Sequence, residues 1–201
     1  MELLTKGAAT ESRVRQQVGR AHFVHFCTHG FAVPLMNDSV AEAPTADESL
    51  TVVAGIALVG GARGLRGEGV PANDGVLFTH EMADLDLARA DLVTLSSCQS
   101  ALGEPEPGEG MLSAQRAINI AGARASLTAI WSVDDESTRD LMNRFYDRLW
   151  RRRQSKAAAL QGAMVDMLRL SERRPTGSED GERLRTPPSL WSGFVLHGDW
   201  R

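Results

Sequence analysis

Apolar positions along this chain come in two rhythms, and the rhythms alternate. Short apolar runs rich in β-branched and aromatic residues occur at Ala21–Thr28 (AHFVHFCT), Leu50–Val59 (LTVVAGIALV), Leu92–Leu95 within ADLVTLSSCQSALG, Ala125–Trp131 and Trp191–Leu196. Runs of this kind, bounded by turn-formers, predict strands, Leu50–Val59 being a strand or a hairpin arm. Between them lie stretches with helical spacing. Thr10 opens a polar helix that runs to about Gly19, and Thr79–Ala83 reads as a short helix with Thr79 as its cap. Met111–Ala121 carries Leu112, Gln115, Ile118 and Asn119 on one face and stops at Gly122, as helix C-termini prefer. Asp134-Asp135-Glu136 starts a helix with carboxylates at its positive end and Arg148 and Arg151–Arg153 at its negative end. Ser155–Arg169 is a further helix.

Loops separate these elements. Pro34, Asn37 and Asp38 put a loop after the first strand, and Gly60–Asn73 reads as the most mobile one. Glu104–Gly110 is acidic and proline-bearing, and Arg173–Pro188 reads as a long surface segment. Strands alternating with helices predict an α/β fold with a mostly parallel sheet covered on both faces.

Composition narrows the function. The 201 residues suffice for one domain with a substantial core, and 42% apolar with 24% charged content is that of an ordinary globular protein. A net charge of −4 gives no electrostatic case for nucleic acid or an anionic membrane surface. Two cysteines make no disulfide framework and fit a reducing, cytoplasmic setting. No leader-like segment and no apolar run near membrane-spanning length is expected.

The candidate chemistry lies at two strand ends. Cys98 ends a buried strand among small neighbours (Ser96, Ser97, Ser100, Ala101), and His29-Gly30 ends another, 69 positions earlier. Neighbouring parallel strands put both ends on one edge of the sheet, where imidazole can serve a thiol as acid and base. The backbone N–H groups of Gly30 and Cys98 would then form an oxyanion hole, each donor worth ~3 kcal/mol. The implied reaction is acyl transfer from a peptide bond through a thioester, with no metal or organic cofactor.

At these residues the chain resembles a known family. FVHFCTHG, DLVTLSSCQSALG, the long block from Gly108 to Trp150 and LWSGFVLHGDWR are similar to successive blocks of the CHAT domain, a caspase-like peptidase module. The resemblance runs from about Leu3 to Trp200, short of the family's first strand and helix, and takes residues 1–201 as one domain. It implies a three-layer α/β/α sandwich with about five or six strands. It also implies a cysteine endopeptidase with His29 as base and Cys98 as nucleophile. Trp131, Ser132, Val133 and Asp134 fall where this superfamily shapes its substrate pocket. A protein or peptide is the implied substrate, and a sensor or helical-repeat region a candidate activating partner.

Plainer readings compete. Asp134 reads first as a helix cap. His22, His25 and His29 do not close a tetrahedral metal site along one strand, so His22 and His25 read as core histidines with backbone partners. Cys27 reads as a small core residue. The glycine loop lacks the Lys-Ser/Thr of a phosphate-binding loop. As a whole, the chain reads alternatively as a catalytically silent caspase-like interaction module, or more weakly as a thiol acyltransferase or redox sensor.

Overall fold

The computed structural model describes residues 2–34, 52–66, 73–96, 109–131, 133–173 and 187–201. Its elements in chain order are α1 (Glu11–Val18), β1 (Phe23–Phe26), β2 (Gly30–Pro34), β3 (Val52–Ala57), α2 (Gly61–Gly64), β4 (Val76–Phe78), α3 (Thr79–Ala83), β5 (Leu92–Leu95), α4 (Glu109–Ile120), β6 (Ala125–Ala129), α5 (Asp135–Tyr146), α6 (Lys156–Arg173) and β7 (Phe194–Gly198).

The main sheet has the order β1-β5-β6-β7. β1, β5 and β6 are mutually parallel, and β7 closes the far edge antiparallel to β6. The fold is thus mixed α/β around a mostly parallel sheet, as the alternation of elements implies. Among the described residues the sheet holds four strands, against the five or six expected, because β2, β3 and β4 form an antiparallel sheet of their own. Residues 30–34, expected to lead into a loop, are a strand because Phe31, Ala32 and Val33 pair with Gly55, Ala54 and Val53. β4 has no counterpart among the expected strands: Val76-Leu77-Phe78 is too short to show a period.

Both faces of the main sheet are covered. Along β5, Val93 and Leu95 join Val14, Val18, Met82, Ala114 and Ile118 in one core, contributed on that side by α1, α3 and α4. Leu92 faces the opposite way, with Ala125, Leu127 and Ala129 of β6, against Leu141, Met142 and Phe145 of α5 and Ala159, Ala163 and Met167 of α6. All four residues of β5 and all five of β6 are buried. Strands sealed on both faces read as continuous apolar runs, and this is why the alternation signal is weak there. Thr128, on the α4 face, is satisfied by Gln115 Nε2 at 3.0 Å.

Local chemistry ends the helices. Thr10 Oγ1 accepts the Arg13 N–H of α1, and Asp134 Oδ2 accepts the Ser137 N–H of α5 at 2.8 Å. Phe78, not Thr79, caps α3: its own N–H donates to Glu81 Oε2 at 3.0 Å. Gly122, at φ +99°, ends the α4 segment in the left-handed region, as expected. Arg148 stands at the helical end where it is expected, and it is only 15% exposed. Its guanidinium crosses α6 to Asp166 Oδ2 at 2.7 Å, over Gly162, where a Cβ would lie 2.6 Å from Arg148 Cζ.

Phe145 is fully buried at the centre of the α5/α6 core. Phe145→Ala should cost about 3–5 kcal/mol in urea unfolding, with an unchanged denaturant slope. A loss below about 1 kcal/mol would mean that α5 does not pack as described.

Candidate active site

Parallel pairing fixes which residues meet at each end of β1 and β5. Phe23 lies opposite Leu92 and Phe26 opposite Leu95, an offset of 69 throughout. The same offset relates His22 to Asp91 at the amino end, where His22 Nδ1 lies 3.0 Å from Asp91 Oδ2. It is also the separation of His29 and Cys98, each three residues past the last pair. Cys98 itself lies outside the described residues, as does Ser132.

His29 sits in the connection between β1 and β2, and its backbone is gripped from one side. The Thr28 hydroxyl donates to the Ala57 carbonyl, and the Ala57 N–H donates to the His29 carbonyl at 2.8 Å. The residue is exposed. Gly30 follows opposite Ile56. Antiparallel ladders alternate bonded and non-bonded pairs. With His29 and Ala57 in a bonded position, Gly30 takes the non-bonded one, and its N–H turns away from β3. Among the described residues β2 is an outer strand of its sheet, so that N–H is not consumed by the ladder to β3.

The other candidate residues are placed less tellingly. Trp131 Nε1–H donates to the Ser189 carbonyl at 2.9 Å, and Val133 is buried. Asp134 is exposed, and the backbone N–H of Ser137 holds its carboxyl below the usual carboxylate range.

Three readings of β1 need correction. Cys27 is exposed, not a core residue, because it follows the last paired position of an edge strand. His22 and His25 have side-chain partners rather than backbone ones, since each meets the β5 residue that the register brings alongside. Among the described residues, no group of three His, Cys, Asp or Glu is placed to hold a metal ion.

His25 anchors a polar network that the sequence pattern concealed. Its Nε2 lies 2.7 Å from Ser96 Oγ and its Nδ1 3.3 Å from Tyr146 Oη, and the Tyr146 hydroxyl donates to Thr94 Oγ1 at 3.0 Å. Because Tyr146 spends its proton on Thr94, it accepts from Nδ1–H; the Ser96 hydroxyl has two acceptors, and Nε2 at 2.7 Å is far nearer than the Phe26 carbonyl at 3.5 Å, so Nε2 accepts from Ser96. The chain therefore needs a neutral imidazole. Part of the ring is exposed, yet both nitrogens face protein groups, and this burial lowers its pKa below the ordinary histidine value. The signal for this network is arithmetic: residues of β1 and β5 with matching parity share a sheet face once the offset of 69 is known.

Burial on α5 pushes Tyr146 up to about 12, the Thr94 hydrogen bond opposing this in part. It is the chain's single tyrosine. Phenolate absorbance should therefore titrate near 12 in the folded protein and near 10 in denaturant, against about 10 in both if the ring were solvated. A phenol that ionises less readily when folded favours the fold below pH 10, and that contribution is lost as pH rises from 10 through 12. Global unfolding should steepen across that interval.

With the geometry in place, comparison with known proteins is informative. A family model described as CHAT domain matches residues 1–199. The chain is also 26% identical over 205 residues to mouse Tetratricopeptide repeat protein 28, an alignment that takes in 97% of this chain. The chain spans 8% of the length of that relative.

Proposed function

Since the chain belongs to the CHAT domain family, a caspase-like peptidase-related group, we propose that it is a cysteine endopeptidase acting on a protein or peptide substrate. Cys98 is the nucleophile and His29 the general acid and base. The observation that carries this reading is the β1–β5 register, whose offset of 69 equals the separation of the two residues.

The steps follow from the residue types. The thiolate of Cys98 attacks the scissile carbonyl, forming a C–S bond and a tetrahedral oxyanion. The N–H groups of Gly30 and Cys98 stabilise that oxygen; the non-ladder position of Gly30 supports its share of the task. The His29 imidazolium protonates the departing amine, the C–N bond breaks, and a thioester remains. Neutral His29 then takes a proton from water, whose attack releases the acid and restores the thiol. Trp131, Ser132, Val133 and Asp134 border the substrate, with Asp134 as the group that would favour a basic residue. The grip of Thr28 and Ala57 on the His29 backbone supports a fixed base.

The similarity to a tetratricopeptide repeat protein favours a second reading, in which the module works within or beside a helical-repeat assembly and signals without turnover. The two readings differ in the reactivity of Cys98. A peptidyl electrophile that labels Cys98 only when His29 is intact supports the enzyme, and equal labelling of the His29→Ala protein supports the silent module.

Cys98→Ala should abolish cleavage of a diverse peptide library, and His29→Ala should slow it about 10²–10⁴-fold. Both variants should keep their stability within about 0.5 kcal/mol. Proteolysis that survives Cys98→Ala would remove the proposal.

A further inference from the structure

We propose that His25 is a positioning residue, whose hydrogen bond to Ser96 Oγ sets the spacing between the strand ends that carry His29 and Cys98. The inference rests on the cysteine-peptidase reading and deepens it.

Ser96 is the last described residue of its segment and stands two positions before Cys98. It is tied to β1 through both backbone and side chain: its N–H donates to the Phe26 carbonyl at 3.0 Å, and its hydroxyl lies 2.7 Å from His25 Nε2 and 3.5 Å from that same carbonyl. His25 in turn stands four positions before His29. The pair therefore bridges the two strands just short of where each delivers its candidate catalytic group. A base must come within about 2.6–3.2 Å of the proton it takes, and a misplacement of ~1 Å can cost 10²-fold in rate. A short hydrogen bond at the end of the ladder is well placed to hold that tolerance, because strand ends otherwise splay.

The strut is itself held from α5. Tyr146 receives the other face of the network, its ring lying 5.6 Å from that of His25. Trp150 stacks on Tyr146 at 4.4 Å and meets Phe23 of β1 edge-on at 5.6 Å. Orientation of the imidazole is thus fixed by a helix rather than by solvent.

A serine hydroxyl 2.7 Å from a histidine nitrogen also has the look of a nucleophile and its base. Its burial decides against that role. Ser96 is 7% exposed, between β1 and the α5 face, where no substrate carbonyl can reach.

The test uses a Cys27→Ser background, which leaves Cys98 as the sole thiol. Iodoacetamide alkylation of Cys98 is followed against pH, and cleavage of a peptide selected from the library is followed in parallel. In the parent, alkylation should have its midpoint well below the ordinary thiol value of about 8.5. His25→Ala should raise that midpoint by at least about one pH unit and lower kcat about 100-fold, with KM changed less than about twofold. His25→Gln, whose amide oxygen can still accept from Ser96, should recover most of kcat. Ser96→Ala should match His25→Ala, and the double variant should be no worse than either, as for one shared interaction. A role in stability alone would lower the unfolding midpoint and leave the alkylation profile in place. Should His25→Ala fail to fold, Ser96→Ala and His25→Gln carry the same comparison. An unshifted profile and kcat in those variants, with an active parent, overturns the inference alone. An ordinary thiol midpoint and no cleavage in the parent overturn the peptidase reading, and the inference falls with it.

Discussion

β5 hydrogen-bonds to β1 on one side and to β6 on the other, and water reaches neither face of it. That pairing allows only one register. A slip of one residue would turn Val93 and Leu95 toward α5 and α6 and leave Thr94 facing α1 and α4, exchanging the contents of two cores at once. Burying Thr94 without Tyr146 would add the cost of an unpaired hydroxyl, about 1–3 kcal/mol. Whatever chemistry the carboxyl edge performs depends on this exclusion, because it sets which residue of β1 ends beside which residue of β5.

The two edges of the sheet are finished in different ways. At the amino edge the strands begin in charge: His22 to Asp91, Asp91 to Arg124 at 3.5 Å, and Arg124 to Asp199 at 3.2 Å. Lys156 at the start of α6 reaches the Asp199 carbonyl at 2.8 Å. The Arg201 N–H foremost, and then Lys156 and Arg124, hold the Asp199 carboxyl below its usual range. Apart from the buried Lys156, these groups keep much of their solvent, so their ion pairs tie down the last strand without adding much stability. The carboxyl edge has His25, Ser96, Tyr146 and Thr94 instead, a set that stays neutral.

Much of this was legible from residue order, and the failures have physical causes. Helices showed themselves where a cap and a period coincide, as at Thr10, Asp134 and Gly122. β5 and β6 were visible as apolar runs, because burial on both faces removes the alternation but leaves the length. In the second sheet β3 lies within the expected run Leu50–Val59, whereas β2 and β4, of five and three residues beside glycine or proline, carry too little pattern to separate from loop. His25 and Cys27 read as core residues from the sequence because alternation along β1 cannot tell an edge strand from a central one. The pairing of His29 with Cys98 was inferred from strand ends alone. The offset that supports it comes only from the register, which no local pattern encodes.

The neutrality of the His25 network suits the chemistry proposed for its edge of the sheet. A thiolate at Cys98 is stabilised by a nearby cation and destabilised by any competing anion. A carboxylate in place of Ser96 would hold His25 more strongly, but it would set a negative charge two positions from the nucleophile and draw His25 toward protonation. A hydroxyl gives a bond of ordinary strength and adds no charge to the site. Burial of the His25 nitrogens acts in the same direction, since it disfavours the imidazolium and keeps Nε2 an acceptor. His29, exposed and with its backbone held by Ala57, then remains the imidazole proposed to serve the sulfur. On the proposed reading, the His25–Ser96 contact contributes geometry without electrostatics, and the charge is left to His29 and Cys98.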